Sequence, residues 1–71
     1  MTAGRGGRPR SAEADAAILR ATFELVGEVG FEALTMEGIA DRAGVGKATL
    51  YRRWSSKEEL VIAVIEEFVS E

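Results

Sequence analysis

The chain has no cysteine and no histidine among its 71 residues. Without cysteine it forms no disulfide and offers no thiolate, which fits a reducing compartment and sets the expectation of a cytoplasmic protein. Without histidine it lacks the commonest general base and the commonest metal ligand. Long apolar runs are missing too. The longest, Leu60 to Ile65, is far too short to span a bilayer. The opening "MTAGRGGRPR" has no apolar centre of the kind a secretory signal needs. The expectation is a chain with no enzymatic activity, no metal or other cofactor and no membrane partner. Nothing alternates with period two over a useful length, and no segment repeats, so strands are not expected.

What is present is a globular composition, 46% hydrophobic and 30% charged, in a length that suits one domain. The net charge of −3 would argue against a nucleic-acid partner if it were spread evenly. It is not. Residues 1–10 carry Arg5, Arg8 and Arg10 and no acid, and residues 42–57 carry Arg42, Lys47, Arg52, Arg53 and Lys57 and no acid. Acids dominate residues 11–41 and 58–71. A polyanion feels the local patch and not the total, so two basic blocks point toward one.

Residues 1–10, with three glycines and Pro9, lack periodicity and read as a flexible basic arm. From Ser11, apolar residues recur at Ile18, Ala21, Leu25 and Val29, the spacing of a helix over about 11–29. Ser11 is its expected cap, and Gly30 its expected left-handed C-terminal residue. Thr35 is a good N-cap for a second helix over about 36–42, with Glu37 opposing the positive end of the dipole. Leu34 and Ile39 have the spacing of a hydrophobic staple. A third helix is expected over about 47–53. A fourth, over about 57–69, opens on a Ser56–Glu59 capping box and carries Leu60, Val61, Val64, Ile65 and Phe68 in i, i+3, i+4 order. The fold class is therefore all-α, a compact bundle of about four helices with a helix-turn-helix at its centre.

The stretch "AGVGKATLYRRW", Ala43 to Trp54, poses the functional question, since glycines, a lysine and a threonine suggest a phosphate cradle. A nucleotide-binding loop needs G-x-x-x-x-G-K-[ST] between a strand and a helix. Here Lys47 is followed by Ala48, Asp41 stands where the first glycine belongs, and a helix precedes the loop. The helix-turn-helix reading explains the same residues. Ala43 and Gly44 let two short helices cross steeply, and Val45 anchors the second. On a helical wheel Leu50 and Trp54 face inward, Ala48, Thr49 and Arg52 point broadly away, and Lys47, Tyr51 and Arg53 lie on the flanks. Small, hydroxyl and basic side chains on one exposed edge suit a DNA groove.

The run "LTMEGIADRAGVGKATLYRRWSSKEEL", Leu34 to Leu60, resembles the DNA-binding domain of the TetR family of bacterial transcriptional regulators. The similarity extends back through "ILRATFELVGEVGFEAL" and covers nearly everything after Ser11. It implies a sequence-specific DNA-binding domain, of a repressor, that reads the major groove of double-stranded DNA with its third helix. By that resemblance Thr35, Tyr51 and Lys57 contact phosphate, and Gly46, Lys47, Ala48 and Thr49 form the groove-facing start of the recognition helix. Gly46 replaces a larger polar residue common there and forgoes its base contact. Arg52 and Arg53 sit where members vary. In the family a larger C-terminal domain follows, which binds ligand and dimerises. The expectation for these 71 residues is a DNA-binding fragment that takes no small-molecule ligand and dimerises only through that missing domain.

Other readings stand beside these. Tyr51 could be a half-buried aromatic cover, though its place in "TLYRRW" favours DNA; Trp54 is expected in the core. Glu58–Glu59 and Glu66–Glu67 read as a cap and a solvated face, since adjacent helical residues diverge. The arm with Arg5, Arg8 and Arg10 is either a solubilising tail or a minor-groove arm. The rival function is a helical protein-interaction module working through the apolar face of helix 57–69, a face more simply explained as core.

Overall fold

The computed structural model describes residues 10–69. They form α1 (Arg10–Ala33), α2 (Met36–Ala43), α3 (Lys47–Arg53) and α4 (Lys57–Val69), with no strand among the described residues. This is the all-α bundle with a central helix-turn-helix that the sequence implies. Arg5 and Arg8 lie outside the described residues.

α1 begins one residue earlier than its apolar spacing suggests. Arg10 belongs to the helix and not to the arm, and Ser11 lies inside the first turn instead of capping it. The first N–H groups of a helix have no intrahelical acceptor, so apolar spacing carries little signal for where they start. At its other end the helix outruns the expected stop at Val29. Gly30 has φ 85° and ψ 164°, a positive φ with an extended ψ, so it is not the left-handed cap residue the sequence suggests. The chain kinks there, and helical structure resumes over Phe31–Ala33 before Leu34 turns inward. Thr22, fully buried in α1, satisfies its hydroxyl by donating to the carbonyl of Ile18 at 2.8 Å.

α2 is closed at both ends by its own sequence. The Thr35 hydroxyl accepts from the N–H of Gly38 at 3.0 Å, and Leu34 and Ile39 are both buried, as a staple requires. At the C-terminus Gly44 is left-handed, at φ 74° and ψ 31°. Its N–H donates to the Asp41 carbonyl at 3.2 Å, and the Val45 N–H donates to the Ala40 carbonyl at 3.0 Å. That pair of bonds is a Schellman motif, and it reverses the chain within two residues. Val45 then packs against the core and seats α3.

α3 buries one residue completely, Leu50, while Trp54 packs half-buried behind it. Ser56 caps α4 by accepting from the Glu59 N–H at 3.3 Å. The reciprocal bond of the capping box lands one residue early, because the Glu59 carboxylate accepts from the N–H of Ser55 and not of Ser56.

The core gathers Ile18 and Ala21 of α1, Leu34, Met36, Ile39 and Ala40 around α2, Leu50 of α3 and Leu60 of α4. The apolar stripe of α4 is only partly core. Leu60 and Val64 are buried, but Ile65 and Phe68 are 52% and 48% exposed. Near its end α4 still faces Thr22, Phe23 and Val26 of α1, which leave Ile65 and Phe68 only half covered. Phe68 meets Phe23 of α1 with ring centroids 5.2 Å apart, and the two border a wholly apolar groove of about 280 Å³.

Candidate nucleic-acid interface

Buried Leu50 fixes how α3 is rotated. Residues four apart share a flank and residues two apart diverge, so Lys47 and Tyr51 fall on one side of α3 and Thr49 and Arg53 on the other. Ala48 and Arg52 form the exposed crest between them, opposite Leu50. The contacts agree with this assignment. Lys47 pairs with Glu37 of α2 at 3.1 Å, and Arg53 pairs with Asp15 of α1 at 2.6 Å.

The fold brings Thr35 and Lys47 to one open depression between α2 and α3 that Glu37, Gly38, Asp41 and Val45 also line. Thr35 uses its hydroxyl oxygen to cap α2, which leaves the hydroxyl proton available to an outside acceptor. Thr49 faces elsewhere. It is half-buried in a second depression, against Glu13, Ala14 and Ala17 of α1, and not turned outward like Ala48 and Arg52. Gly46 opens α3 without any side-chain cap. Tyr51 is half exposed on the Lys47 flank.

Two expected contacts meet competing occupations. The Arg53 guanidinium is tied to Asp15 and lies 5.8 Å from the Trp54 ring centroid, which makes it a tether between α3 and α1. Lys57 donates to three backbone carbonyls, those of Phe31 at 2.8 Å, Leu34 at 3.0 Å and Glu32 at 3.3 Å. An ammonium has three N–H bonds, so none remains for a phosphate while these hold.

The basic block of residues 42–57 is correspondingly less positive than its sequence suggests. Arg42 binds Glu28 through both terminal nitrogens and reaches Glu24 at 3.3 Å. Among the described residues only Arg52 of that block has neither an acidic nor a carbonyl partner. A linear window cannot see acids that α1 and α2 bring across from residues 15, 24, 28 and 37. Sequence reasoning passed over those four acids as partners, and their separations from the bases leave no periodic signal to find. The Arg42 pair depresses the Glu28 pKa, mainly through the hydrogen bond, and raises that of Arg42. The Lys47–Glu37 pair is different in kind. Both side chains are more than half exposed, so the pair is weak and an incoming phosphate or base competes for the lysine.

A helix-turn-helix with this surface has close relatives by sequence. Residues 18–64 match the model of the bacterial regulatory proteins of the tetR family. The chain belongs to the TetR family. It is 46% identical over 56 residues to the uncharacterized HTH-type transcriptional regulator YdeS of Bacillus subtilis, covering 79% of this chain and 28% of that protein. It is 43% identical over 65 residues to the HTH-type transcriptional activator FasR of Mycolicibacterium smegmatis, covering 92% of this chain and 30% of that one. With the HTH-type transcriptional repressor KstR of Mycobacterium tuberculosis it shares 42% over 48 residues, 68% of this chain and 22% of KstR. The chain thus spans under a third of the length of these relatives. No solved structure gives a significant match. Residues 18–64 are the DNA-binding helix-turn-helix domain of this family of transcriptional regulators. Among the described residues no helix is long and apolar enough to cross a membrane.

Proposed function

We propose that this domain reads an operator in double-stranded DNA by seating α3 in the major groove, and that it serves a repressor. The observation that carries the reading is the rotation of α3. Leu50 is fully buried, so Ala48 and Arg52 form the crest and Lys47 and Tyr51 the flank toward α2. Small Ala48 permits close approach to the base edges. Lys47 donates to a base acceptor, and Arg52 adds a cation to a base or a phosphate. Thr35 and Tyr51 donate hydroxyls to phosphates on either side, and Thr49 contributes from the α1 flank. Arg5 and Arg8 supply a minor-groove arm ahead of α1, with Arg10 at its root. The repressor role draws on KstR, which is named a repressor, whereas FasR is named an activator. A repressor needs only occupancy of the operator.

A two-fold operator presents half-sites roughly 34–36 Å apart, so it takes two such domains. The test is selection of bound duplexes from a random pool. One recurring half-site motif is expected, and a pool that stays random after several rounds would end the reading. The interaction-module reading keeps one observation in its favour, the exposed end of the α4 face at Ile65 and Phe68.

A further inference from the structure

Lys57, like Arg53, is a cation that the interface as described leaves out. Its Nζ sits among the carbonyls of Phe31, Glu32 and Leu34 and 4.4 Å from the centroid of the Phe31 ring. Phe31 and Glu32 lie in the short helical turn that follows the kink at Gly30, and the Phe31 carbonyl also accepts from the N–H of Leu34 at 3.1 Å. Three carbonyl oxygens and the face of an aromatic ring all favour a cation at that point. Four separate interactions therefore hold one ammonium. They run from the first residue of α4 to the segment that joins α1 to α2.

The third carbonyl matters most for function. Leu34 O belongs to the peptide unit that leads directly into Thr35, and Leu34 itself is buried as the staple of α2. The direction of that peptide sets where the Thr35 hydroxyl stands, and with it the bond from Gly38 N–H that starts α2.

We infer that Lys57 is a positioning residue for DNA binding: it clamps the α1–α2 junction to the start of α4 and so holds Thr35 and the N-terminus of α2 in the geometry that meets phosphate. It does not touch DNA itself. The inference rests on the DNA-binding reading for its consequence, though the clamp also has a signature independent of DNA.

Arginine distinguishes the clamp from a phosphate contact. Lysine directs three protons from a single nitrogen, whereas the guanidinium spreads its donors in a plane and cannot converge on three carbonyls. Arginine would serve a phosphate at least as well. The experiment measures affinity of the 71-residue chain for a fluorescein-labelled random-sequence duplex across a salt series. It compares wild type, Lys57→Arg and Lys57→Met at a temperature where circular dichroism shows all three folded. The clamp predicts both variants about 3- to 10-fold weaker, the loss of roughly one hydrogen bond to phosphate. It predicts an unchanged salt slope for Lys57→Met, since no counterion-releasing contact is lost. It also predicts a displaced Gly38 amide resonance in both variants without DNA, because that N–H reports the Thr35 bond.

A phosphate contact predicts the reverse: Lys57→Arg binds as wild type, and Lys57→Met loses about 0.9 of slope. That result overturns the inference. Wild-type binding by both variants also overturns it, leaving Lys57 a purely stabilising residue. If wild type itself shows no salt-dependent binding, the DNA reading fails instead, and an unmoved Gly38 amide would then sink the clamp separately.

Discussion

Arg42 and Glu28 meet through two N–H···O bonds of 2.8 and 2.7 Å, a guanidinium fork on a carboxylate that fastens α2 to α1. The pair matters to function because α2 carries Thr35 and hands the chain to α3 through Gly44. The bond from Arg42 keeps the Glu28 carboxyl below its ordinary pKa of 4.5. A depressed carboxylate contributes stability that is complete above its unfolded pKa and is lost as the pH falls through the folded value. Glu28→Gln is therefore expected to lower the Tm at pH 7, modestly for so exposed a pair. Its curve of Tm against pH should converge on that of wild type below about pH 4.5, as the wild-type carboxyl protonates. Parallel curves down to pH 2 would show that the pair does not hold α2.

Gly44 and Gly30 both have positive φ, and nothing lies within 4 Å of a Cβ placed on either, so substitution there probes the backbone alone. At Gly44 the conformation is left-handed helical, which asparagine tolerates. At Gly30 it is positive φ with extended ψ, a region essentially restricted to glycine. Alanine should destabilise either site by about 1–2 kcal/mol in urea unfolding. Gly44→Asn should recover much of that loss, and Gly30→Asn should not. Equal recovery at both would mean that Gly30 relaxes into an ordinary helix cap.

The contrast between these glycines shows where the sequence was legible. Local signals spoke clearly. The cap at Thr35, the staple of Leu34 and Ile39 and the glycine after α2 are each decided within a few residues, and the buried Leu50 follows from helical spacing. Gly30 was found as a break, but its spacing did not show that helical structure resumes over Phe31–Ala33 beyond it. The site was legible as a list and not as an arrangement. That Lys47 faces α2, that Thr49 lies against α1, and that Arg53 and Lys57 are tied to α1 and its junction with α2 all depend on partners 10 to 38 residues away.

Glu37 is a negative charge beside the proposed groove face, paired with Lys47 at 3.1 Å and 73% exposed. It competes with DNA for the lysine and repels phosphate on its own account. Glu37→Gln should raise affinity for random duplex by about 2- to 5-fold, the scale of one exposed ion pair. The gain should shrink as salt screens it. A loss of affinity would show that Glu37 orients Lys47 toward DNA and does not restrain it.

Lys47 and Tyr51 share a flank of α3 but are assigned different tasks. Lys47→Ala should weaken a selected duplex by roughly 1–3 kcal/mol, and a scrambled duplex less, because a base contact is lost. Thr49→Ala should follow the same pattern less strongly, given its half-buried place against α1. Tyr51→Phe should weaken both duplexes alike, by about 0.5–1.5 kcal/mol for one hydroxyl. Gel-shift titrations on the two duplexes separate these cases. Equal losses for Lys47→Ala would remove it from base readout.

The central claim is that this surface binds duplex DNA even though acids compensate much of its basic block. The most direct measurement is the affinity of the 71-residue chain for random duplex as salt is raised from low to physiological concentration. Each cation that displaces a counterion contributes about −0.9 to the slope of log K against log salt. Lys47 and Arg52 together set a slope of about −2, and the arginines of the arm make it steeper if they reach the minor groove. A slope of about −2 or steeper is the predicted result; a flat one, or no binding at low salt, would contradict the account.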